Sequence, residues 1–288
     1  MSNILVTGAN GQVGSEIREL SLENEHKFFF TDSQDLDICD KERTENFCKE
    51  NCVDIIINCA AYTAVDKAES ESESADSVNH LAVKYLAEIS KEHNIKLIHI
   101  STDYVFDGRN FKPYVETDAT NPQGVYGKTK LEGENAILKI NPENSMIIRT
   151  SWVYSSYGTN FVKTMLRLGK ERDELGVIFD QVGTPTYARD LAETILAILP
   201  QLNNKNVELY HYSNEGVCSW YDFAKAIFEL SEIGCDVNSI ETKEYPTPAK
   251  RPHYSLLNKA KIKREYNITI PYWRDSLKEC LMKMGEEK

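Results

Sequence analysis

The chain has little positive charge: 33 Lys and Arg stand against 45 Asp and Glu, a formal charge of -12 over 288 residues. A surface of that sign argues against general affinity for nucleic acid or for an anionic membrane, both of which need cationic patches. It does not exclude a small anionic ligand, because backbone dipoles and a few Arg or Lys can hold a phosphate. No apolar run approaches the ~20 residues that a membrane-spanning helix needs. The stretch from Met1 to Thr7 has neither the basic region nor the cleavage site of an address signal, so a cytoplasmic location is expected. The seven cysteines are odd in number, scattered and without a C-x-x-C. Cys48 and Cys52 could share a helix face, but no second ligand pair accompanies them, and the thiols are read as reduced and structural. The six histidines form no His-Glu-x-x-His, which leaves a catalytic metal without support. No low-complexity linker or internal repeat divides the chain.

What is present is an alternation of strand and helix patterns. Ile4 to Val6 reads as a first strand, followed by a glycine turn and a helix over Gln12 to Leu22. Phe28 to Phe30, Val53 to Ile57, Leu97 to Ile100 and Met146 to Ile148 read as further strands. Helical patterns lie between them, at Lys41 to Glu50, Ser70 to His93 and Tyr126 to Leu138. Short continuous apolar strands separated by helices predict a parallel sheet covered on both faces. After Arg149 the rhythm changes. Helices are expected at Asn160 to Glu171, Ala188 to Ile198 and Tyr221 to Ser231, with short strands at Val177 to Phe179 and Glu208 to Tyr212. The expected fold is α/β, a Rossmann-type doubly wound parallel sheet in residues 1–150, with a smaller C-terminal substrate-binding lobe in 151–288 that partly completes the sheet.

Gly8, Gly11 and Gly14 are three apart, directly after a strand and at the opening of a helix. In that context the first glycine permits a tight turn, the second a close approach to a pyrophosphate, and the third close helix–strand packing; the helix N-terminus faces the phosphates. Asn10, Gln12 and Val13 share the turn and are candidate cofactor contacts. Asp32 falls after the second strand, about 20 residues on, where an acid can bind the adenosine ribose hydroxyls. With no Arg directly after it, this position favours NADH over NADPH. Asp37 and Ile38 are candidate adenine contacts. The small residues Ala60 and Ala61 end the third strand, where the chain must pass close to a nicotinamide ribose.

Tyr126 and Lys130 are four apart, on one helix face. A phenol has a pKa of about 10, and a neighbouring ammonium is expected to lower it toward the working range. Thr102, at the end of the fourth strand, can polarise a substrate carbonyl while Tyr126 delivers its proton.

These motifs, together with others spread over nearly the whole chain, resemble the dTDP-4-dehydrorhamnose reductases of the extended short-chain dehydrogenase/reductase superfamily. The matching stretches are Gly-Ala-Asn-Gly-Gln-Val-Gly from Gly8, Ala-Tyr-Thr-Ala-Val-Asp-Lys-Ala-Glu from Ala61 and Ser-Thr-Asp-Tyr-Val-Phe from Ser101. Tyr-Gly-Lys-Thr-Lys from Tyr126, Arg-Thr-Ser-Trp-Val-Tyr from Arg149 and Asn-Phe-Val-Lys-Thr-Met from Asn160 follow. Asp-Gln-Val-Gly-Thr-Pro-Thr from Asp180 and Tyr-Pro-Thr-Pro-Ala-Lys-Arg-Pro from Tyr245 complete the set. The resemblance implies reduction of the C4 keto group of dTDP-4-dehydro-L-rhamnose, with hydride from NADPH or NADH and a proton from Tyr126. It implies Thr102, Tyr126 and Lys130 as catalytic residues and Thr63 as a further cofactor contact. A sugar pocket would include Val65, Thr102, Asp103 and Trp152, and Arg251 would serve the diphosphate. It also implies a homodimer, which some relatives bridge with Mg2+ held by acidic side chains, one of them on the helix after the Thr-Pro-Thr turn. Here that stretch reads Tyr187-Ala188-Arg189-Asp190, with a cation where the acid is expected, which argues against the metal.

Two other readings are weaker. Another nucleotide-sugar reductase, an epimerase or a dehydratase of the same superfamily would keep the fold and change the chemistry; a dehydratase needs an extra acid–base pair beside the substrate, yet Thr102 is followed by Asp103 and Tyr104 rather than Asp and Glu. A non-catalytic NADP-binding regulatory subunit should have lost part of its catalytic set, whereas Thr102, Tyr126 and Lys130 are all present.

Overall fold

Alternate residues of each central strand point to opposite faces, and in this chain both faces are apolar. Strands β1 (Asn3–Thr7), β2 (Lys27–Thr31), β3 (Ile55–Asn58), β4 (Lys96–Thr102) and β5 (Met146–Thr150) therefore need cover on both sides. Ile4, Val6, Ile55, Ile57, Ile98 and Ile148 face one way, and Leu5, Ile56, Leu97 and Ile147 the other. Helices α1 (Gln12–Leu20), α2 (Lys41–Glu50), α3 (Ala82–His93) and α4 (Val125–Ile140) fill the connections. Each fully buried Ile or Leu contributes about 1.5–3 kcal/mol, so the two layers are what hold the sheet together. The computed structural model describes residues 1–285.

Downstream lie α5 (Phe161–Glu171), β6 (Glu174–Ile178), α6 (Ala188–Ile198), β7 (Glu208–His211), α7 (Trp220–Leu230), β8 (Asp236–Ile240), α8 (Ala260–Tyr266) and α9 (Trp273–Met284). The main sheet has six parallel strands in the order β7-β5-β4-β3-β1-β2. Its order reverses between β1 and β3, and a crevice at the carboxyl ends of strands on either side of such a switch is where doubly wound folds bind ligands. The second half of the chain contributes β7 to the sheet and α6 to its cover, where Ala188, Leu191 and Ile195 join Val13 and Ile17 of α1. The remaining lobe has its own core, with Val162, Leu175, Tyr187, Phe223, Ile227, Trp273 and Leu277 among its members.

Several elements differ from the sequence expectation. The single helix expected from Ser70 to His93 is interrupted: a short helix over Ser72–Asp76 runs into a π turn at Ser77–Leu81 before α3 begins. The turn carries Asn79, fully buried, whose side chain accepts from Tyr62 N (2.9 Å) and donates to Tyr62 O (3.1 Å) and Thr129 Oγ1 (3.2 Å). It thereby ties the loop after β3 to α4; periodicity alone cannot register one extra residue in a turn. β6 starts three residues earlier than expected because it pairs in parallel with β8, a strand missed in the sequence. Helices α8 and α9 were also missed. No helix among the described residues is long and apolar enough to cross a membrane.

Candidate active site

The crevice at the sheet's reversal is a cleft of about 800 Å3. One end is built by the β1–α1 turn. Gly8 has φ +64°, and a Cβ there would lie 2.6 Å from Ala60 N, so only glycine lets β1 and the end of β3 pass this closely. A Cβ on Gly14 would lie 2.6 Å from Ala9 Cα and Gly8 O, which makes Gly14 the helix–strand packing position. Gly11 is the N-cap of α1 and offers no side chain to its N–H groups. An uncapped helix start behind a glycine cradle fits a pyrophosphate. Asp32 closes this end, accepting from Gln34 N (2.8 Å), Asp35 N (3.2 Å) and Asn10 Nδ2. The backbone donors from Gln34 and Asp35 hold its carboxyl below the usual range, so it presents an anion.

The cleft wall brings together residues from distant parts of the chain. Gly8, Asn10, Gly11, Gln12, Val13, Asp32, Asp37 and Ile38 lie at this end. Ala60, Ala61, Thr63 and Val65 line the middle, and Thr102, Asp103, Tyr126, Lys130 and Trp152 lie beyond them. Arg251 is not on the wall. Its guanidinium meets Asp66 through Nη1 to Oδ1 (3.1 Å) and Nη2 to Oδ2 (2.7 Å), so the cation expected to face a diphosphate is engaged by a carboxylate. Asp66 also accepts from Ala249 N (3.1 Å), which ties the Pro-rich stretch to the helix Val65–Ala68.

Tyr126 sits in the first turn of α4, edge-on to Tyr104 at 5.4 Å, with the Thr102 hydroxyl acting on its phenol. α4 is fixed by its own Glu134, which is fully buried and accepts from Arg149 Nε (2.9 Å) and Nη2 (2.6 Å) of β5 and from Ser101 of β4. The guanidinium of Arg149 also lies 5.0 Å over the Phe106 ring. The expected lowering of the Tyr126 pKa is not met. Burial pushes the phenol up to about 12, and the Thr102 hydrogen bond offsets only part of that. Lys130 is buried; its Nζ donates to Ile100 O (2.6 Å), and burial lowers it to about 8. The phenol is thus held protonated at neutral pH, the form a proton donor requires.

Asp103 is buried beside Thr102, whose Oγ1 donates to Asp103 Oδ1 (3.0 Å), while its Oδ2 has no partner. Burial raises its carboxyl from 3.8 to about 7. The folded state therefore holds this proton more tightly than the unfolded chain, and stability falls as pH rises from the ordinary value through about 7. In Asp103→Asn that contribution disappears. The variant should gain melting temperature over wild type at pH 8 but not at pH 4; an equal change at both would contradict the buried carboxyl.

Trp152 was singled out in the sequence, whereas Trp220 was not. The Trp152 backbone has φ +50°, rare for a bulky residue, and its ring stacks on Trp220 with centroids 3.7 Å apart and planes 11° from parallel. Trp220 opens α7, and the two-residue antiparallel pairing of Val182–Gly183 with Cys218–Ser219 brings it there. No sequence spacing relates the two indoles.

Arg189 meets Glu19 and Glu16 of α1 and Glu193 of its own helix. Arg189 Nη1 lies 2.8 Å from Glu19 Oε1, and Lys283 Nζ lies 2.8 Å from Glu16 Oε2 and 2.7 Å from Glu19 Oε2. Glu16 also accepts from Ser155 Oγ (2.6 Å). Two cations from the same chain already neutralise these carboxylates, so this donor set does not fit a divalent metal.

The description "RmlD substrate binding domain" belongs to a family model that matches residues 1–286. The chain is 44% identical over 289 residues to a dTDP-4-dehydrorhamnose reductase of Aggregatibacter actinomycetemcomitans, spanning 96% of this chain and 98% of that protein. A solved dTDP-4-dehydrorhamnose reductase from Clostridium acetobutylicum superposes with TM-score 0.93 at 44% identity, covering 98% of this chain and 99% of the other. Another, from Bacillus anthracis in complex with NADP, has TM-score 0.93 at 37% identity, with 98% and 99% coverage.

Proposed function

The chain belongs to the RmlD family of dTDP-4-dehydrorhamnose reductases, and from that premise we propose that Thr102, Tyr126 and Lys130 of this chain reduce the C4 keto group of dTDP-4-dehydro-L-rhamnose to give dTDP-L-rhamnose. The observation that carries this reading is the convergence of the glycine cradle, Asp32, Thr102, Tyr126, Lys130 and Trp152 on one cleft.

The glycine cradle and the free N–H groups of α1 would hold the pyrophosphate of the coenzyme, and Asp32 the adenosine ribose. Asp37 and Ile38 flank the adenine; Ala60, Ala61 and Thr63 leave room for the nicotinamide ribose. Held there, a reduced nicotinamide coenzyme would supply the hydride that reaches the sugar carbon. Thr102 holds the keto oxygen, and Tyr126, protonated at working pH, gives that oxygen its proton. Lys130, one helical turn on, orients the ribose and faces the phenolate left behind. Val65 and Asp103 border the sugar, and Trp152 offers it a flat face backed by Trp220. Residues 1–150 thus serve mainly the coenzyme and 151–288 mainly the sugar.

NADPH and NADH both serve as coenzyme in this reading: the NADP complex of the Bacillus anthracis relative supports the first, and the exposed carboxylate of Asp32 the second. The test combines purified protein, each reduced coenzyme in turn and dTDP-4-dehydro-L-rhamnose made in place, with the product identified by NMR. Formation of dTDP-L-rhamnose is the expected outcome; an unchanged sugar would refute the assignment. In Trp152→Ala, KM for the nucleotide sugar should rise while coenzyme affinity stays unchanged. Equal loss of both would place the indole outside the sugar site.

A further inference from the structure

The buried side of Lys130 is occupied by a polar chain that the reaction as described does not use. His99, on β4, is fully buried, with Nε2 3.3 Å from Lys130 Nζ and Nδ1 2.9 Å from Asn58 Nδ2. Asn58 ends β3 and is itself buried. Its Oδ1 accepts from Ala60 N (3.2 Å) and from Thr7 Oγ1 (2.7 Å). A backbone N–H can only donate, so Ala60 fixes which end of the Asn58 amide is oxygen. The other end is then the NH2 group, and it points at His99 Nδ1. Nδ1 must accept, and the single hydrogen of the neutral ring lies on Nε2, facing Lys130. That contact is a hydrogen bond only when Nζ carries a lone pair; against an ammonium it sets two donors face to face.

We infer that His99 is a positioning residue for Lys130: locked by Asn58 as the Nε2–H tautomer, it occupies one direction around Nζ with a donor. The amine's own hydrogens are thereby left to Ile100 O and to the cleft. The chain Thr7–Asn58–His99–Lys130 crosses β1, β3 and β4 and ends on α4, linking the strand that carries the glycine turn to the lysine that faces the coenzyme. Other groups around Nζ act in addition. Glu134 on the lysine's own helix favours the ammonium, and burial disfavours it. Cys59 lies after Asn58, and Tyr126 one turn earlier on α4. The ring itself stays neutral, because burial and the nearby lysine both disfavour its charged form.

The inference deepens the reductase reading, and its test does not need the sugar. Full-length wild-type protein with 15N-labelled histidine is examined by long-range proton–nitrogen correlation, with His99 assigned by its through-space contacts to Asn58 and Lys130. The expected result is a neutral ring at pH 7 with hydrogen on Nε2 and an acceptor shift at Nδ1. Hydrogen on Nδ1, or on both nitrogens, would overturn the assignment. A second readout is the pH dependence of kcat/KM. In His99→Gln the amide can turn its carbonyl toward Nζ, so the charged lysine is no longer opposed. The basic limb, expected near the lysine's value of about 8 in the wild type, should then move up by about one unit, a tenfold change in the lysine's equilibrium. An unmoved limb contradicts the role. A correct tautomer with no sugar reduction would instead count against the reductase reading, and the tautomer stands as the test if the variant does not fold.

Discussion

Tyr126→Phe should lower turnover at least ~10²-fold, the usual size of a positioned acid's contribution, while the binding of reduced coenzyme is retained. The variant removes one oxygen and keeps the ring that packs edge-on against Tyr104. A drop in kcat without loss of coenzyme affinity therefore isolates the proton. Stopped-flow turnover and a fluorescence titration of the coenzyme separate the two quantities. Near-normal turnover would remove Tyr126 from the chemistry, and loss of coenzyme binding would make its role structural.

Arg149→Met should destabilise the protein by about 3–5 kcal/mol, the range for leaving a buried charge without its partner. Glu134 is fully buried and takes three hydrogen bonds from the Arg149 guanidinium as well as one from Ser101. Domains of ordinary stability have about 5–15 kcal/mol in total, so the variant should unfold at much lower urea. Because the pair fixes α4 one turn past Lys130, activity should fall with stability. Adding Glu134→Gln should recover part of the loss, since it removes the stranded charge. A urea midpoint equal to wild type would show that the pair is not what fixes the helix.

The nucleotide half of the site was legible in the sequence because its requirements are local. A turn with φ +64° pressed against Ala60 needs glycine at Gly8, and an open helix start needs Gly11. Tyr126 and Lys130 were legible because four residues make one helix turn. The pKa of Tyr126 was not legible: the sequence shows the lysine but not how deeply both groups are buried, and burial prevails. Nor was the engagement of Arg251 by Asp66, which joins segments 185 residues apart. The same holds for Trp220 against Trp152 and for Asn58 against His99, pairs created only by strand neighbours. α9 is a different case. Trp273, Leu277, Cys280 and Leu281 recur at helical spacing and are all buried, so this helix is legible in the sequence pattern.

If this cleft delivers hydride to C4 of the sugar, the transferred hydrogen can be followed directly. NADPH carrying deuterium at the nicotinamide C4 would be mixed with the protein and dTDP-4-dehydro-L-rhamnose, and the sugar recovered for NMR and mass spectrometry. Coenzyme oxidation together with a single deuterium at C4 of the dTDP-L-rhamnose formed is the expected result. Deuterium at another carbon, or a sugar recovered unlabelled and unreduced, would contradict it.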